Sequence, residues 1–91
     1  VSAIFAQNDM MAIGAMKALR ERGFKVPGDI AVIGFDNIPL SSFVTPELST
    51  VTVPVYELGR TAMKILSDLL SGQDVSRITT LPTKLTIRQS C

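Results

Sequence analysis

The chain has 91 residues, is 46% hydrophobic and 19% charged, and carries a formal net charge of +1. This is the composition of one small folded unit, and its dispersed Lys and Arg exclude the clustered basic footprint that binding a phosphate backbone requires. A lone cysteine, Cys91, excludes an internal disulfide framework, and no apolar stretch reaches the roughly 18 residues of a membrane span.

The sequence opens at Val1, without an initiator Met, straight into Ala3-Ile4-Phe5-Ala6, which reads as a piece of a longer protein. Residues 2–7 form an apolar run of strand length, and Ile30-Ala31-Val32-Ile33-Gly34-Phe35 forms a second. Between them Met11, Ala15, Ala18 and Leu19 recur on one helical face, with Asn8 or Asp9 placed to cap its start; Asp9 is the better cap. Gly23 suits the left-handed position that ends a helix, and Pro27-Gly28 predicts a type II turn. Strand, helix and strand in such a short span make a βαβ unit, so the fold class is α/β with a parallel sheet.

Beyond Asp36-Asn37, the segment with Pro39, Ser41, Ser42 and Pro46 reads as an irregular loop or short helix. Ser49 to Val53, rich in β-branched residues, predicts a third strand closed by Pro54. Leu58, Ala62, Ile65, Leu66 and Leu69 line one face of a helix over 55–71, and Gly72 supplies the stop. Last, Pro82 to Arg88 predicts a half-buried strand in which Leu85 and Ile87 alternate with Lys84, Thr86 and Arg88.

Ligands of open parallel sheets bind outside the carboxyl ends of the strands, and Asn8 and Asp36 follow two such ends. A carboxamide donates and accepts while a carboxylate accepts repeatedly, the pair needed for sugar hydroxyls or the ring nitrogens of a base. Turn and cap roles are the competing reading of both residues. Catalysis finds no support. Histidine is absent, Ser41 and Ser42 lack the glycine-flanked turn of a nucleophile, and Gly14 and Gly34 make no dinucleotide fingerprint. We therefore expect no enzyme, no cofactor and no metal. A second stripe on the first helix, Met10 and Ile13 continued by Lys17, predicts either a wide core face or a subunit interface.

Several ordered motifs go further: Asn8-Asp9-Met10-Met11-Ala12-Ile13-Gly14-Ala15, Val26-Pro27-Gly28-Asp29-Ile30, Val32-Ile33-Gly34-Phe35-Asp36-Asn37, Thr45-Pro46-Glu47-Leu48-Ser49-Thr50-Val51, Glu57-Leu58-Gly59-Arg60 and the tail Arg88-Gln89-Ser90. Together they cover nearly the whole chain, and the chain resembles the bacterial lactose/galactose-repressor (LacI/GalR) regulators. The resemblance implies a periplasmic-binding-protein-like (type I) fold of two α/β subdomains with a sugar or purine-like effector between them. It also implies a cytoplasmic homodimer that binds operator DNA through an N-terminal helix-turn-helix domain outside these residues. By the same analogy residues 1–53 and about 79–91 belong to the C-terminal subdomain, and the helix over 55–72 to the N-terminal one. Effector contacts fall on Asn8, Asp36 and Val55, the last lacking the aromatic ring some members carry there. Dimer contacts fall on Met10, Ile13 and Lys17 and on the segment Leu40 to Val44, with Leu40, Phe43 and Val44 named. The alternative is a periplasmic sugar-binding protein of a transporter, against which the tail and the Gly34-Phe35-Asp36-Asn37 run weigh.

Overall fold

Seven elements appear in the computed structural model, which describes all residues 1–91: β1 (Ala3–Phe5), α1 (Asp9–Glu21), β2 (Ala31–Asp36), a 3₁₀ turn (Pro39–Ser42), β3 (Ser49–Thr52), α2 (Val55–Leu70) and β4 (Lys84–Thr86). The strands form one sheet in the order β1-β2-β3-β4. The first three are parallel, as the βαβ pattern demands, with Phe5 opposite Ile33 and Phe35 opposite Val51. β4 joins β3 antiparallel, pairing Leu85 with Val51, so the sheet is mixed.

Two compact units divide the chain. The first comprises Val1–Val53 with Lys84–Cys91, the second Pro54–Thr83.

In the first unit α1 packs on β2. Its core face is Asp9, Ala12 and Met16, with Ile13 and Leu19 packed alongside. The expected core stripe through Met11, Ala15 and Ala18 is thus displaced: Met11 is exposed. The reason is that α1 is apolar on three sides, so spacing alone leaves its rotation open, and the close approach to Gly34 fixes it. α1 ends as expected, with Gly23 at φ +84° and a Schellman pair, Phe24 N–H to Leu19 O (2.9 Å) and Gly23 N–H to Arg20 O (3.0 Å). The Pro27-Gly28 turn differs from type II, because Gly28 does not take the left-handed conformation. Lys25 O instead accepts from the Asp29 and Ile30 amides, and the Asp29 carboxylate accepts from Lys25 N–H at 2.7 Å.

β4 also turns over relative to expectation. Leu85 and Ile87 are exposed while Thr86 and Arg88 face inward, since both inward residues find polar partners under the sheet end. The Thr86 and Thr52 hydroxyls bond each other, and Ser90, fully buried, accepts from Ser49 N–H at 2.8 Å. Residues opposite one another share a sheet face, so Phe5, Ile33, Phe35, Val51 and Leu85 line the side away from α1.

The second unit is α2 and the segment after it. α2 carries one apolar face but buries none of its residues; Ser76 to Leu81 lies along it, forming a shallow groove with Leu58, Ala62 and Ile65. Gly72 at φ +79° ends the helix. No helix is long and apolar enough to cross a membrane.

Candidate functional site

Parallel pairing brings the carboxyl ends of β1, β2 and β3 to one edge of the sheet. β1 is extended by Ala6, whose N–H donates to Ile33 O at 2.9 Å, and the chain reaches Asn8 two residues later. Asn8 is the N-cap of α1: its extended backbone lets Oδ1 accept from Met11 N–H at 2.8 Å. Its Nδ2 amide remains available as a donor at the sheet edge.

Asp9, expected as the cap, is instead fully buried. Its Oδ1 accepts from the Thr50 hydroxyl (2.6 Å), and its Oδ2 accepts from the Ser41 hydroxyl (2.6 Å) and Ile38 N–H (2.8 Å). A carboxyl group with no cation beside it is tolerable in a core only with such a set of hydrogen-bond partners. Ser41, which reads as a simple loop residue in the sequence, is one of them.

At the end of β2, Asp36 has φ +116° and Asn37 φ +61°, backbone angles that L side chains rarely adopt. The surroundings impose them. Asn37 N–H donates to Thr50 Oγ1 (3.3 Å) and Asn37 Nδ2 to Thr52 Oγ1 (3.1 Å). Arg88 closes the clamp, with Nη2 donating to Asn37 Oδ1 (2.8 Å) and Nη1 to Leu48 O (2.8 Å). The Asp36 carboxylate joins none of these bonds and no ion pair, and it is half-buried. An acceptor held in a strained conformation, with its lone pairs unused within the chain, is free to bond a group from outside it.

Val55, the third expected contact, is the first residue of α2 in the second unit and is exposed. Arg88, Asn37 and Thr50 were not singled out in the sequence, and the one available signal was the Arg88-Gln89-Ser90 tail.

Of the expected dimer contacts, Met10, Leu40 and Phe43 are exposed, Phe43 to 78%. Ile13 and Val44 are half-buried against the core and, with Lys17, line one surface groove of about 720 Å³ that Phe24 and Pro46 also border. Lys17 pairs loosely with Glu21 at 3.8 Å on the surface.

Residues 2–91 match the model of the periplasmic binding protein-like domain. The lactose operon repressor of Rhizobium radiobacter is 47% identical over 97% of this chain and 78% of its own length. Among solved structures, a LacI family regulator from Arthrobacter sp. FB24 in complex with lactose superposes with a TM-score of 0.88 at 45% identity, over 99% of this chain and 34% of that one. A lac repressor dimer bound to operator and the anti-inducer ONPF gives 0.93 at 38% identity, over 98% of this chain and 27% of that one. The chain therefore spans only about a third or less of those two solved regulators.

Proposed function

Since this chain belongs to the periplasmic binding protein-like domain family, among its LacI/GalR regulators, we propose that it is the ligand-sensing and dimer-forming part of a DNA-binding transcription regulator that responds to a sugar. The observation that carries this reading is Asp36, a half-buried carboxylate without an internal partner at the carboxyl edge of a parallel sheet. There it accepts hydrogen bonds from sugar hydroxyls, and Asn8 donates from the same edge. The protein works by binding rather than by turning its ligand over. It acts in the cytoplasm as a homodimer through α1 and the segment 40–44, and a helix-turn-helix domain outside these residues holds the operator. The structures of relatives with lactose and with operator support the two ligands by analogy.

Calorimetric titration of lactose and cellobiose into the intact protein, with operator affinity measured in parallel, tests this. A saturable heat that weakens in Asp36→Ala, together with a change in operator affinity on adding the sugar, is expected. Retained sugar affinity in Asp36→Ala overturns the role of Asp36, and turnover of the sugar overturns the binding reading.

A further inference from the structure

We propose that Asp9 is a positioning residue that ties the end of β2, where Asp36 sits, to the turn Pro39–Ser42, so that a change at Asp36 reaches exposed Leu40 and Phe43 through one buried carboxylate. The meaning of this link for regulation rests on the function proposed above; the link itself rests on geometry.

Its path is continuous. Asn37, next to Asp36, donates its N–H to Thr50 Oγ1 (3.3 Å), and the Thr50 hydroxyl donates to Asp9 Oδ1 (2.6 Å). The other oxygen of the same carboxylate holds Ser41 Oγ (2.6 Å) and Ile38 N–H (2.8 Å), and Ser41 O in turn accepts from Leu48 N–H (2.8 Å). Asp9, Ser41 and Thr50 are all fully buried, so the two hydroxyl bonds to the Asp9 carboxylate at the centre of the path are shielded from water. A carboxylate suits the place because it accepts at both oxygens, whereas an amide would aim its NH₂ at a donor. The strained backbone of Asp36 gives the path something to transmit, because a conformation kept only by its surroundings moves when they do.

The test uses the intact protein labelled with 4-fluorophenylalanine, the Phe43 resonance being assigned by its loss in Phe43→Leu. Asp36→Asn perturbs the end of β2 with no ligand present, and the Phe43 resonance is expected to shift. Thr50→Val, which keeps the volume and deletes the hydroxyl, is expected to abolish that response, while Thr50→Ser, which keeps the hydroxyl and loses the methyl, retains it. A packing role for Thr50 gives the reverse order. Ser41→Ala cuts the last bond alone and is expected to abolish the response as well, which covers the case of a Thr50→Val protein that does not fold. A Phe43 resonance indifferent to Asp36→Asn, or one that responds fully in Ser41→Ala, overturns the proposal. No sugar enters the measurement, so the titration above and this link fail independently.

Discussion

Gly34 lies directly beneath Asp9: a Cβ on Gly34 would stand 3.2 Å from Asp9 Cα and 3.1 Å from Leu48 Cδ2, and closer still to the Asp9 carboxylate. The missing side chain is what lets α1 settle on β2. Gly34→Ala forces backbone apart from backbone, at a cost of about 1–3 kcal/mol. Gly14, in the middle of α1 with nothing within 4 Å of its Cβ position, supplies the control; Gly14→Ala is expected to gain about 0.5–1 kcal/mol. Urea unfolding of the two variants beside the parent measures both signs.

Asp36→Gly separates stability from binding. Relief of a positive-φ residue returns about 1–3 kcal/mol, against about 0.5–1 kcal/mol for the added freedom of glycine in the unfolded chain. The variant is therefore expected to melt above the parent while, on the function proposed above, sugar affinity falls roughly ten- to several-hundred-fold, the worth of one or two charged hydrogen bonds. A lower melting temperature with normal affinity makes Asp36 a structural turn residue.

Removing the Arg88 guanidinium leaves Leu48 O and Asn37 Oδ1 without a donor. Arg88→Met keeps most of the aliphatic stem, so its expected loss of about 1–3 kcal/mol reports the hydrogen bonds and not the packing. Because Asn37 then keeps its bonds to Thr50 and Thr52 but loses the one that closes the clamp, sugar affinity is expected to fall too, although Arg88 is not among the proposed ligand contacts. Denaturation curves and titrations on one preparation check the pairing of the two effects.

For the dimer, Phe43 is a better probe than Ile13, which packs against the core and would confuse folding with assembly. Phe43→Asp places a charge on a residue 78% exposed in the single chain. If that surface is covered in a dimer, burying the two unpaired charges costs several kcal/mol, about enough to make the intact protein monomeric at micromolar concentration. Sedimentation velocity that still finds a dimer moves the interface elsewhere.

How far the sequence could be read depended on how local each signal was. The βαβ unit, the caps at Gly23 and Gly72 and the edge position of Asp36 all follow from residues a few places apart. Asp9 did not, because its three donors lie 29, 32 and 41 residues away, and nothing local distinguishes a capping aspartate from a buried one. The rotation of α1 escaped because Met10, Met11, Ala12, Ile13, Ala15 and Met16 leave almost no polar side to orient it. In β4 the alternation was right and its sense was reversed, since Thr86 and Arg88 turn inward to polar partners on β3 and at the end of β2 that only pairing brings near.

The two-piece makeup of the first unit sets an order of events on the ribosome. Ser90 Oγ donates to Val32 O, Arg88 and Ser90 both bond Ser49 of β3, Arg88 also bonds Leu48 just before it, and all of these partners lie in the earlier piece. The roughly thirty residues of Pro54–Thr83 are made in between, which at about 5–20 residues per second delays the last strand by a few seconds. During that interval β1, β2 and β3 wait with one rim of the sheet unpaired and the Asn37 clamp open. A nascent chain stalled or cut before Lys84 is thus expected to be the form that proteases and chaperones see, and synonymous codons that slow synthesis across 54–83 would lengthen its exposure without altering a single residue.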